Sequence, residues 1–125
     1  MSAPRIVSVR TVDHGVVEVP EPSWCAIAHR DDIHRADIHH QGVEQSASLH
    51  IPGIGDVTLL TAFLSQYPYS EHSDRAVWVA VEIEGQHYEF GPAGLGDLAA
   101  TLTTHALYTL LPLRARLQAL QEETS

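Results

Sequence analysis

The chain has 125 residues, 44% of them apolar, and a formal charge of −9 with neutral histidines. This length predicts a single domain spanning residues 1–125. All seven basic residues are arginines and they form no basic stripe, which makes nucleic acid an unlikely partner. The apolar runs are too short to cross a membrane and no secretory signal opens the chain, so we expect no membrane contact.

The chain contains one cysteine, Cys25. One cysteine cannot form an internal disulfide, which fits a reducing compartment and predicts a cytoplasmic protein. The uses left to this side chain are metal binding, a free thiol or a bridge between chains.

The N-terminal part is rich in β-branched residues. Ile6–Val12 and Val16–Val19 flank a His14-Gly15 turn and predict a hairpin or a bent strand. Pro20 is expected to end the pairing because proline has no N–H. From there the segment 20–45 is rich in His, Asp, Glu and Gln and predicts a loop without regular structure. A loop this long is uncommon in a compact domain unless it is functional, and a metal ion would anchor it.

Residues 46–90 predict the sheet core. Ala47–Ile51 alternates as a half-buried strand, and Asp56–Phe63 has apolar residues on both faces, which indicates a central strand. A polar surface connection between Gln66 and Arg75 follows. Val77–Ile83 and His87–Phe90 then predict a hairpin across the Glu84-Gly85-Gln86 turn.

Residues 92–122 predict a helical part. Pro92 is typical of a first helical turn, and apolar residues follow at helical spacing, so this helix is expected to cover one face of the sheet. Pro112 should kink the helix or start a second one. The expected fold is therefore α+β, an antiparallel sheet of four to five strands with one long or kinked C-terminal helix packed on one face and a metal-pinned N-terminal loop.

An apolar seam continues along the predicted helix to its end. It favours a partner helix from a second copy of the chain, or else a helix that folds back on its own sheet. The seam consists of Leu110, Leu113, Leu117 and Leu120.

Cys25 and His29 have the spacing of a short metal-ligand pair. A thiolate and neutral imidazoles suit zinc, and later histidines can complete a tetrahedral site. His34, His39 and His40 are all candidates, although the last two are adjacent and would point to opposite sides of an extended segment. Two other interpretations of Cys25 stay open: a small buried residue beside Trp24, or a catalytic thiol, for which no hydrolase signature is present.

The stretch Pro22-Ser23-Trp24-Cys25, followed by His29 and by His40-Gln41-Gly42, resembles a family of small actinobacterial domains of unknown function. Members of that family carry a Cys-Pro-x-Trp-Cys core followed by two histidines. The resemblance spans roughly residues 21–110 and implies a metal site and an α+β fold, with His40 as the third ligand. Glu21 stands where the family has its first cysteine. A carboxylate oxygen of Glu21 would complete the site, or else His34, His39 or His14 would do so, or the metal has been lost.

Zinc-enzyme signatures are absent from the sequence, so a structural zinc is favoured over a catalytic one. The expected function is a small zinc-stabilised protein-interaction or regulatory module with a protein partner. Trp24 and Trp78 are candidate anchors for that partner, although core packing is the more common role of tryptophan. The alternatives are a zinc- or thiol-dependent enzyme, and an acidic inhibitor of a host nucleic-acid enzyme encoded by a phage or plasmid.

Overall fold

A computed structural model of the chain describes residues 5–72 and 74–124. Residues 1–4, where the sequence predicts no secretory signal, lie outside the described residues. The same holds for Ser73, within the predicted surface connection, and for Ser125. The chain divides into two compact units, one ending at Phe90 and one beginning at Gly91, and each is described by itself. The α+β class is confirmed, since antiparallel strands precede a long C-terminal helix. A single domain spanning the whole chain stays a prediction.

The first unit begins with a hairpin. Strands β1 (Arg5–Arg10) and β2 (Val16–Glu21) pair in antiparallel fashion as a separate two-stranded sheet, where the sequence predicted one sheet. The prediction that Pro20 ends the pairing is wrong, because Pro20 lies inside β2 opposite Ile6. Strand β2 has a partner on one side only, and an edge position tolerates the missing N–H of proline.

The segment 20–45 contains more regular structure than the sequence predicts. A 3₁₀ turn spans Arg35–Asp37 and a short strand, β3, spans His40–Gln41. Ile33 also forms an isolated parallel bridge with Thr11, which holds the segment beside the hairpin. Backbone pairing to other parts of the unit therefore helps to hold the segment 20–45 in place, whereas the sequence analysis assigned this role to a metal ion alone.

A five-stranded antiparallel sheet forms the rest of the first unit. Its longest strand, β5, is central as predicted and pairs with β3, β4 and β6, while β7 pairs with β6. The predicted β6–β7 hairpin is present, and Glu84 and Gly85 of its turn have positive φ angles of 53° and 77°, the mirror-type conformation of two-residue hairpin loops. The strands are β4 (Gln45–Ile51), β5 (Gly55–Gln66), β6 (Trp78–Ile83) and β7 (Gln86–Phe90).

A cluster of buried apolar residues supports the first unit. Val9 and Val19 of the hairpin form this cluster with Ile38, which precedes β3. Phe63 of β5 and its partner Ala80 of β6 are also buried, as is Val81, which points to the opposite face of the sheet from Ala80. Because successive side chains of an extended segment alternate in direction, Ile38 and His40 point to the same side, so packing of Ile38 against the hairpin also orients His40.

The second unit is a helix that runs from Pro92 to Thr124 without a break. Helix α1 (Pro92–His105) leads through a π-helical turn (Ala106–Leu110) into α2 (Leu111–Thr124). Pro112 therefore lies inside a continuous helix, directly after the π turn. In the π turn the N–H of Leu111 donates to the carbonyl of Ala106, five residues earlier, so the proline is accommodated by a change of helical pitch.

The four leucines of the seam are exposed in the helical unit, from 39% for Leu120 to 59% for Leu113. The packing of this helix on the sheet stays a prediction. Among the described helices, none combines the length and apolar character needed to cross a membrane.

Candidate metal centre

Four residues with metal-binding side chains meet in the first unit. One ligand atom from each of Glu21, Cys25, His29 and His40 lies within 4.8 Å of the other three. Cys25 and His29 are the pair predicted from spacing, and the other two are the residues implied by the family resemblance. The structure thus brings these four side chains together, and their role as metal ligands stays a prediction.

The hairpin and a tight turn place the first two of these residues. Glu21 is the last residue of β2, and after it the N–H of Cys25 donates to the carbonyl of Pro22 at 3.0 Å, which closes a turn. The next N–H, that of Ala26, donates to the carbonyl of Gln41 at 2.8 Å. The turn is therefore tied to β3 on the side that carries His40.

Gly42 makes the approach of this turn to the sheet possible. Its N–H donates to the carbonyl of Leu64 on β5 at 2.8 Å. A Cβ at this position would lie 3.3 Å from Leu64 Cβ and 3.5 Å from the carbonyl oxygen of Trp24. A larger residue would push the turn away from β5, and with it the neighbouring Cys25.

Glu21 is a buried carboxylate between two buried imidazoles. Its Oε1 atom contacts His29 Nε2 and lies 3.2 Å from His40 Nδ1, while its Oε2 atom lies 3.8 Å from the Arg5 guanidinium. The side chains of Glu21, His29 and His40 are 3%, 6% and 3% exposed. Buried ionisable groups are costly unless they are paired or bind a metal, and the contact between His29 Nε2 and Glu21 Oε1 supplies such a pair here.

His40 Nδ1 is buried and has no hydrogen-bond partner within the described residues, since its approach to Glu21 lacks hydrogen-bond geometry. Burial lowers the pKa of His40 below 6.5, although the charge of Glu21 acts in the opposite direction. The ring therefore favours the neutral form, whose free lone pair is the form that binds metals. The rings of His29 and Trp24 both contact His40 edge to face and fix its orientation.

The alternative histidines lie outside the cluster. His39 Nε2 is 2.7 Å from Ser65 Oγ, and its ring stacks on Tyr67 with centroids 4.3 Å apart. His34 and His14 are instead near Asp13, with Nδ1 atoms 3.9 Å and 3.1 Å from Asp13 Oδ2. Of the adjacent pair, His40 alone thus faces the other three candidate ligands.

Sequence reasoning missed Arg5, the cation beside Glu21. Arg5 and Glu21 are directly opposite each other in the hairpin register. The opposite charges of the two residues were the one feature of the sequence that could have indicated this pairing. The hairpin was predicted without a register, so nothing placed Arg5 opposite Glu21.

The two tryptophans have different surroundings. Trp24 is half-buried against His40, whereas Trp78 at the start of β6 has a buried Nε1 without a hydrogen-bond partner among the described residues. Their role as anchors for a partner stays a prediction.

The donor set determines what the site could bind. One thiolate, two imidazoles and one carboxylate suit zinc and related transition metals, whereas calcium and magnesium prefer oxygen ligands only. Four converging protein donors would fill a tetrahedral shell, which is the arrangement of structural zinc sites.

Residues 6–119 match the model of a family described as a domain of unknown function, DUF6907. Comparison with curated proteins and with solved structures finds no match for this chain.

Proposed function

Since the chain belongs to the DUF6907 family of domains of unknown function, we propose from its site geometry that it is a zinc-stabilised protein-interaction or regulatory module. Glu21, Cys25, His29 and His40 bind the ion. The observation that carries this proposal is His40 Nδ1, which is buried without a hydrogen-bond partner among the described residues and lies within a cluster of three further metal-binding side chains. Zinc would accept the lone pair of this nitrogen and neutralise the buried carboxylate.

The zinc serves a structural role. It joins the end of β2, the turn that follows and β3, and so connects the two sheets of the first unit. Among the described residues the buried apolar side chains form small groups, so an added cross-link would contribute a substantial part of the stability.

Metal analysis tests the ligand assignment. Protein purified without a histidine tag should contain about one zinc ion per chain by elemental analysis. The variant His40→Gln should lose most of this zinc. His39→Gln is the matched control, because the neighbouring ring contacts Ser65 and Tyr67 and should leave the zinc content unchanged. The proposal would be contradicted if wild-type protein contained no zinc after purification and also failed to bind added zinc.

Cys25→Ser separates a structural zinc from a catalytic one. A structural zinc predicts that this variant melts at a lower temperature and loses order in the segment 20–45. A catalytic zinc predicts nearly unchanged melting with loss of turnover. A cavity of about 360 Å³ beside Glu21 and His29 is the feature that favours the enzyme alternative, and four converging ligands favour the structural role.

The module acts in the cytoplasm on a protein partner, and a second copy of the chain binds through the leucine seam. The exposure of Leu113 and Leu117 supports this assignment, because apolar seams of this kind are covered in helical pairs. Leu117→Glu should shift a dimer to monomer in sedimentation experiments, whereas Gln118→Glu, with the same added charge, should leave it intact. Wild-type protein that sediments as a monomer at high concentration would contradict the dimer.

A further inference from the structure

Arg5 lies next to the proposed zinc site without belonging to its ligands. It begins β1 directly opposite Glu21, the last residue of β2. Its side chain is 75% exposed, and a guanidinium nitrogen lies 3.8 Å from Glu21 Oε2. Arg5 and Glu21 also line the same cavity as His29, so the guanidinium stands at the open side of the cluster.

The two oxygens of Glu21 face different groups. Oε1 lies against the nitrogens of His29 and His40, and Oε2 points to Arg5. The carboxylate is 3% exposed. Ser8, which lines the same cavity, donates its hydroxyl to Glu18 at 2.6 Å and is not available to Glu21. Arg5 is therefore the charged group that balances Oε2.

A carboxylate can bind a metal through one oxygen or through both. Outer-shell partners orient metal ligands, and their loss commonly weakens metal binding by about 10- to 100-fold. Resting on the proposed zinc site, we propose that Arg5 is a positioning residue that holds Glu21 Oε2 and leaves Oε1 as the single oxygen bound to zinc. The coordination number is thereby kept at four, and the site stays closed.

Cobalt binding tests this role with the full-length chain. Co²⁺ occupies the same kind of site as zinc, and its visible absorption is strong in four-coordinate sites and weaker when the coordination number rises. A thiolate-to-cobalt charge-transfer band reports the bond to Cys25 separately. Arg5→Gln should weaken metal binding about tenfold and lower the visible absorption per cobalt, while the charge-transfer band persists. Because the side chain of Arg5 is mostly exposed, the variant should fold.

Two variants serve as controls. Arg10→Gln removes the same charge from the other end of β1, five residues away on the opposite face, and should bind like wild type. Arg5→Lys keeps a cation near Oε2 without the planar fork, so its affinity should lie between those of Arg5→Gln and wild type. Wild-type affinity and spectrum in Arg5→Gln would overturn the role of Arg5 and leave the zinc site standing. Wild-type protein that binds no cobalt and no zinc would overturn both.

Discussion

At the scale of single residues, the adjacent His39 and His40 have different surroundings, and only His40 belongs to the candidate metal cluster. His40 faces the cluster, whereas His39 bonds Ser65 and stacks on Tyr67. Burial is the main cause that lowers the pKa of both rings; neighbouring histidine charges add to the effect, whereas the charge of Glu21 opposes it at His40. Both side chains therefore favour the neutral form in the folded chain. His40 is a candidate metal ligand, and His39 contacts Ser65 of β5.

This shared shift predicts how the metal-free protein responds to acid. In the unfolded chain the two rings take up protons near pH 6.5, whereas the folded chain resists protonation until a lower pH. The unfolded state then binds more protons, so the stability from these residues is present above pH 6.5 and is lost as the pH falls through the lowered folded values.

Urea unfolding of chelator-treated protein at pH 8 and pH 5.5 measures this effect, and we expect a lower midpoint in acid. His39→Gln should reduce the difference between the two pH values. A midpoint difference that stays the same in the variant would mean that other groups cause the acid sensitivity.

At the scale of elements, the short segment before β3 connects the hairpin core to the candidate metal cluster. Ile38 is fully buried against Val9 and Val19, and His40 follows two residues later. Ile38→Ala should destabilise the protein by about 2 to 5 kcal/mol, because it removes buried methyl groups and leaves a cavity. It should also weaken zinc binding, since the packing that orients His40 is lost.

Chemical denaturation with and without zinc checks both effects. Ile54→Ala is the matched control, because Ile54 is 75% exposed in the β4–β5 turn region and should change stability by less than about 0.5 kcal/mol. Equal stabilities of the two variants would show that the hairpin core contributes little.

At the scale of the whole molecule, the proposed metal links two sheets that share few buried side chains. Zinc at about 100 times its dissociation constant would stabilise the folded state by about 2.7 kcal/mol, which corresponds to roughly 10 °C in melting temperature for a domain of this size. Chelation should therefore lower the melting temperature by roughly that amount.

Hydrogen exchange should locate this loss. Removing zinc is expected to speed exchange in β2 and in the segment 22–41, while the β5–β6 ladder stays protected by its own pairing. Uniformly faster exchange over the whole first unit would indicate that the ion stabilises the unit globally rather than through one connection.

The sequence alone determined most of the elements, because their signals are local. Alternation predicted β4, β5, β6 and β7 but not the short strand β3, Pro92 predicted the start of the helix, and Glu84-Gly85 predicted a hairpin turn. Each of these signals depends on neighbouring residues whose side-chain directions follow from backbone geometry. Cys25 and His29 were found the same way, since only three residues separate them.

Only the tertiary structure decided which distant residues join them. His40 rather than His39 faces the cluster because β3 pairs with β5 in one register, and a shift by one residue would exchange the two rings. Arg5 meets Glu21 because the hairpin closes in the register that places them opposite each other. Pro20 stays within β2 because that strand lies at an edge. Register and edge position depend on contacts between segments far apart in the chain, and local patterns do not encode them.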